Sequence, residues 1–221
     1  VKELTEKQRD ALSELLNMGF ARTAASLSQL TGNRVLLDAP YVSIHPIKKL
    51  SKELANFVTG EIATVQQIFT GNVSGNALLL LNYDGALVLS DLIDPDLEYE
   101  DENDQKNDQK NNQKKRKTPN PEILTEIGNI LLNSCMSVFG NILNISISFS
   151  VPRLYLEALD GLLHSLVIQD EEMRYAMLVY TSFRLKENAV TGYMIMILSV
   201  SSLDNLLVAV EHWADELLED A

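Results

Sequence analysis

Two trios of polar residues recur in this chain at one spacing. Asp10, Glu14 and Asn17 stand at i, i+4 and i+7, and Glu122, Glu126 and Asn129 repeat the arrangement. At about 100° per helical residue, each trio falls within roughly 60° on one stripe of a helix. After each Asn come twenty-two residues and then a proline, Pro40 and Pro152. Glu14 to Glu126, Asn17 to Asn129 and Pro40 to Pro152 are each 112 residues apart. A carboxylate can pair with a cation. An amide offers one acceptor and two donors, enough to hold a water while touching a second group. One such trio alone is explained by a solvated helix face and a strand-breaking proline. Two in register within one chain point to a repeated site.

The elements that must carry these residues repeat as well. The first half opens with a helical pattern from about Leu4 to Leu30, its apolar face built from Leu4, Leu12, Leu15, Leu16, Leu27 and Leu30. A β-rich stretch, Val35 to Ile47, follows and is broken at Pro40 and Pro46. Residues 50–58 read as a short helix, Glu61 to Phe69 and Val73 to Leu81 as strands, and Gly85 to Ile93 as a helix. In the second half, Thr118 or Asn120 can cap a helix with Pro119 or Pro121 in its first turn, running to about Gly140. Strands are expected at Asn144 to Leu156, Arg174 to Leu185 and Ala189 to Val200, and a helix from Ser202 to Leu218, with Trp213 and Leu217 closing the core. Val73-Ser74-Gly75 before an apolar run parallels Val190-Thr191-Gly192 before another. Continuous apolar runs imply strands buried on both faces. The expected fold class is α/β: a pseudo-twofold repeat of a long helix plus strands, with one shared central sheet flanked by helices.

Composition narrows the functions. The chain has 221 residues, a net charge of −13 and 46% hydrophobic residues, which suits a folded chain with a sizeable core. That negative balance argues against nucleic acid and anionic membrane surfaces as partners. The single cysteine, Cys135, excludes an internal disulfide framework, falls on the apolar side of its helix, and fits a reducing, cytoplasmic setting. The apolar stretch at Tyr193 to Val200 is far short of the roughly 20 residues of a membrane span, so no membrane insertion is expected. Val1 to Lys7 holds no apolar signal core, so no secretion signal is expected. Residues 98–117 have one aromatic and no aliphatic residue, and are read as a disordered, charged connector rather than a docking tail. They divide a single domain, 1–221, into repeat halves 1–97 and 118–221.

Other chemistry finds little support. His45, His164 and His212 lie on separate elements without ligand spacing, so no metal site is expected. No phosphate-cradling glycine motif, nucleophile elbow or paired-histidine zinc motif is present.

The pattern Asp/Ser-x3-Glu-x2-Asn-x22-Pro resembles the signature of the CheC/CheX/FliY phosphatases, which act on the phosphorylated chemotaxis response regulator CheY. Asp10, Glu14, Asn17 and Pro40 match it, as do Glu126, Asn129 and Pro152; Glu122 stands where the family has Asp or Ser. Glu126-Ile127-Gly128-Asn129-Ile130 is similar to the family's core. Two signatures without a switch domain are most like CheC. The resemblance implies hydrolysis of an aspartyl phosphate, with Asn17 and Asn129 positioning water and Glu14 and Glu126 pairing with the substrate's lysine. It implies that Pro40 and Pro152 shape the strand beside each helix. It implies no cofactor of the chain's own, the Mg²⁺ being expected on the regulator, and CheD, a receptor deamidase, as a further partner. An alternative from the same resemblance is a non-catalytic adaptor or switch component that docks the regulator or CheD. Met18 and Ile130 sit beside the stripes and are expected to pack partly in the core.

Overall fold

The computed structural model describes residues 3–38, 40–55, 58, 60–93, 118–158, 161, 173–185 and 188–219. The chain runs α1 (Glu6–Thr31), β1 (Val35–Leu37), β2 (Tyr41–Pro46), α2 (Ile47–Leu54), β3 (Glu61–Gly71), β4 (Gly75–Asn82), α3 (Tyr83–Ile93), α4 (Pro121–Ile142), β5 (Ile147–Phe149), β6 (Arg153–Ala158), β7 (Met173–Leu185), β8 (Asn188–Ser199) and α5 (Val200–Glu219). The expected connector, 98–117, and His164 lie outside the described residues.

Both motif helices start on side-chain caps. The Gln8 N–H donates to the Thr5 hydroxyl, and the Thr5 N–H donates to the Gln8 side chain, a reciprocal box at the start of α1. Gly32, at φ 63°, ends that helix in the left-handed conformation. Asn120 accepts from the N–H groups of Glu122 and Ile123 and opens α4, with Pro121 at the first helical position where its missing N–H costs nothing. The Asn120 N–H donates to Ser90 of α3, fixing where α4 begins.

The strands form one eight-stranded sheet. At its centre β4 pairs with β8; β3 then flanks β4, and β7 flanks β8. Outside these, β1 and β2 both pair with β7, and β5 and β6 both pair with β3, every ladder antiparallel. Exchanging the halves therefore maps the pairing scheme onto itself. Gly75 faces Leu198 and Leu81 faces Gly192, so the two repeated glycines take equivalent places at opposite ends of the central ladder. Each half lays its outer strands on the other's hairpin, which interleaves the halves in one sheet. The repeat is not exact at its margins. By the offset of 112, Arg153 corresponds to Tyr41 and Ile68 to Tyr180. Tyr41 pairs with Tyr180, but Arg153 pairs with Gln66, two residues along.

The apolar runs are buried on both faces, as their continuity requires. Leu79, Leu81, Met194, Met196 and Leu198 join a core built under α1, α3, α4 and α5, while Leu78, Leu80, Ile195 and Ile197 join a second core with Leu50 and Leu54 of α2. Each such fully buried side chain stabilises the fold by about 1.5–3 kcal/mol. The α4 helix is long and apolar enough by length and composition to cross a membrane, a feature the reading of Tyr193 to Val200 overlooked. Here its apolar side, including Leu124, Ile127, Leu131, Leu132 and Phe139, is packed in the core.

Some expected boundaries move for identifiable reasons. The strand expected at Asn144 to Leu156 is two strands, β5 and β6, because Pro152 has no N–H for the ladder. Pro46 does not break its strand but ends β2, opposite Tyr175. The α2 helix occupies Ile47–Leu54 rather than 50–58. Trp213 packs on the core, whereas Leu217 is half-exposed near the end of α5. Met18 and Ile130 are partly buried against the core, as expected.

Two glycines let α4 seat closely. A Cβ on Gly19 of α1 would lie 3.0 Å from the Cys135 Cα of α4. A Cβ on Gly128 would lie 2.5–2.8 Å from three side-chain atoms of Val65 in β3. Cys135 is fully buried at this crossing; burial pushes its thiol up to about 12, and a hydrogen bond with Thr23 pulls weakly the other way.

Two outcomes are expected. Gly128→Ala should destabilise the protein by about 1–3 kcal/mol through overpacking against Val65, read from urea unfolding. An unchanged midpoint would mean that α4 is not seated on β3 at this point. Because the thiolate forms only near pH 12, Cys135 should resist a disulfide-exchange reagent at pH 8 in the native protein and react promptly in denaturant. Rapid native-state labelling would contradict the burial.

Candidate functional site

The polar stripe of α1 faces solvent. Asp10, Glu14 and Asn17 are all exposed, and among the described residues no hydrogen bond reaches the Asn17 side chain. Pro40, twenty-three residues later, is buried between β1 and β2, which both lie on β7. It interrupts the outer ladder rather than lining the stripe.

The stripe of α4 begins the same way, with Glu122 and Glu126 exposed. It then departs from full exposure, because Asn129 is half-buried. The reason is the neighbouring strand break. Between β5 and β6 the backbone leaves β3, and Pro152 sits in the gap, half-buried. An open groove forms there between α4 and the break, lined by Asn129, Asn133, Gln67, Ser150, Val151 and Pro152 among others. Pro152 therefore both shapes the strand and forms part of the wall beside Asn129.

The break is stitched by side chains. The Ser150 N–H donates to the Ile68 carbonyl at 2.9 Å, and the Ile68 N–H donates to the Ser150 hydroxyl at 3.0 Å. The Gln67 amide donates to the Ser150 carbonyl at 2.9 Å. On the helix side, the Asn133 Nδ2 donates to the Asn129 Oδ1 at 2.6 Å. Gln67 is 2% exposed, and both its Oε1 and the Asn133 Oδ1 are buried acceptors without a donor among the described residues. A second groove, between α1 and α4, shares Asn133 and Ser137 with the first and brings Arg22 and Gln29 to its wall. A cation thus borders the path leading away from Asn129.

The sequence offers Glu14, Asn17, Glu126 and Asn129 as candidates, and the structure adds Asn133, Gln67 and Ser150 to the surroundings of Asn129. Asn133 had a signal: it continues the α4 stripe at i+4 from Asn129. Gln67 had a weaker one, a polar residue inside an otherwise apolar strand.

The arrangement can bind and orient; it offers no nucleophile with an adjacent base. Among the described residues no three His, Cys, Asp or Glu side chains converge to hold a metal ion. His45, on β2, bonds to the Ser43 hydroxyl at 2.9 Å, and His212, on α5, faces Glu216 one turn on.

No family model matches the chain. Over 214 residues it is 22% identical to the CheY-P phosphatase CheC of Bacillus subtilis (strain 168), covering 93% of this chain and 95% of that protein. A stretch of 93 residues is 29% identical to the flagellar motor switch phosphatase FliY of the same organism, covering 42% of this chain and 24% of that protein. The fold is similar to the crystal structure of Thermotoga maritima FliY, with a TM-score of 0.68 at 18% identity over 96% of this chain and 98% of that one. It is also similar to the FliM middle domain from H. pylori, with a TM-score of 0.60 at 11% identity over 93% of this chain and 99% of that one. These structural likenesses speak to the fold. Paired motifs, similarity along nearly the whole chain and a shared fold together make this chain similar to the CheC/CheX/FliY proteins.

Proposed function

We propose that this protein hydrolyses the aspartyl phosphate of a CheY-type response regulator in the cytoplasm. The observation that carries this reading is the pair of Glu/Asn stripes, each on the outer side of a helix anchored to the common sheet. A docking module needs complementary surface; it does not need the same carboxylate and amide twice at one spacing.

In this reading the amide of Asn17 or Asn129 accepts a hydrogen bond from the attacking water and aims it in line with the scissile P–O bond. The water oxygen bonds to phosphorus as the acyl oxygen leaves, giving aspartate and inorganic phosphate. An amide cannot take the water's proton, which passes to a phosphoryl oxygen. That is adequate for a loose, metaphosphate-like transition state, in which little nucleophile activation is needed and positioning dominates. Glu14 or Glu126, one turn away, pairs with a lysine of the regulator and sets how deeply the amide reaches. The Mg²⁺ expected for such a reaction belongs to the regulator.

The test is phosphate release from a phosphorylated regulator. Asn17→Ala and Asn129→Ala should each leave partial activity, and the double variant should lose at least about 100-fold, with regulator binding retained. Glu14→Ala and Glu126→Ala should weaken binding as well as turnover. Stability should change within about 0.5 kcal/mol for Glu14, Asn17 and Glu126, which are exposed, and by about 1 kcal/mol for Asn129, which holds a hydrogen bond. Wild-type phosphate release by the double Asn variant would sink the mechanism. Tight binding of the regulator without phosphate release by the unmutated protein would identify an adaptor instead.

A further inference from the structure

We propose that Asn133 is a positioning residue that holds the Asn129 amide in its working orientation, and that the first site lacks this device. The proposal rests on the phosphatase reading for its kinetics, but not for its structural content.

An Asn on an open helix face turns about two side-chain torsions, and its amide can present either the oxygen or the nitrogen to a water. Only one presentation accepts a hydrogen bond from the nucleophile. Asn133 lies one turn beyond Asn129 and donates Nδ2 to the Asn129 Oδ1 at 2.6 Å. With Asn133 so placed, turning the Asn129 amide over by itself would set donor against donor, so reversal requires both amides to turn together. The bond uses one of the two lone pairs on Oδ1, so the other stays available to a water. Ordering the amide before substrate arrives removes an entropic cost from the bound state.

Asn133 is poorly explained as a residue kept for stability. Its own Oδ1 is buried without a donor, an arrangement that costs about 1–3 kcal/mol. The other half shows an apolar solution at the equivalent place. Subtracting the offset of 112, Asn133 corresponds to Ala21, Ser137 to Ala25, and Asn129 to Asn17, whose side chain receives no hydrogen bond among the described residues. On the strand side, Gln67 pairs with Ala77 of the central hairpin, and the residue pairing equivalently in the other half is Val179, opposite Met194. The polar seat thus belongs to one site and not to its twin.

The experiment separates the sites first. In an Asn17→Ala background, where only the second site turns over, Asn133→Ala should lower kcat about tenfold and leave KM unchanged. In an Asn129→Ala background, Ala21→Asn should raise kcat several-fold, because it gives the first site the missing donor; a purely structural role for Asn133 predicts no such gain. In the free protein, the NMR order parameter of the Asn129 side-chain amide should fall in Asn133→Ala while backbone values stay high. An unchanged order parameter overturns the proposal whatever the assay shows. An unchanged kcat in the Asn17→Ala background overturns it while leaving the phosphatase reading standing. Absence of phosphate release by the unmutated protein overturns the phosphatase reading alone, and the order parameter still decides for or against Asn133.

Discussion

The ladder between β4 and β8 is the contact on which everything else depends. It joins the halves, and it is buried on both faces, so it cannot be opened without exposing two cores at once. Its register also fixes where the flanking hairpins lie, and through them where α1 and α4 rest. Gly75 allows close backbone approach at one end, where a Cβ would meet the Ile197 carbonyl oxygen of β8. Once that ladder is in register, α1 and α4 meet at Gly19 and Cys135, and each turns a polar stripe outward.

The groove beside Asn129 then arises from a break in the outer sheet. A proline denies the ladder one donor, the strand divides, and the carbonyl and hydroxyl of Ser150 must find partners. Gln67 and Ile68 supply them. The resulting notch draws Asn129 partly out of solvent. Gly128 matters for the same geometry: without a Cβ it lets α4 approach Val65 closely enough for Asn129 to reach the rim of the notch. A strand break, a helix contact and a catalytic candidate are therefore one local solution.

Much of this was legible in the residues. The helices, the two apolar strands and the paired motifs follow from periodicities of 3.6 and 2 and from a constant offset. The reading failed where a side chain's environment comes from a different element. A helical wheel of α4 places Asn129 on the solvent side; only the β5–β6 break, more than twenty residues further on, makes it half-buried. Leu217 fits the core by spacing, but near the end of α5 it is 50% exposed. Asn133 is not legible in the repeat because it is a position where the halves differ, Ala21 standing at its equivalent.

The two-residue displacement of the outer strand between the halves has an evolutionary reading. Side chains alternate between faces along a strand, so a slide of one residue would turn every inward side chain of β6 outward. A slide of two, about 6.6 Å at 3.3 Å per residue, keeps each on its own side. Divergence between two copies of this unit is therefore quantised. Helix faces can drift residue by residue, but an outer strand can move only in even steps. A step of two shifts the proline notch by nearly seven ångströms along its neighbour, enough to give twin motifs different surroundings without altering either motif.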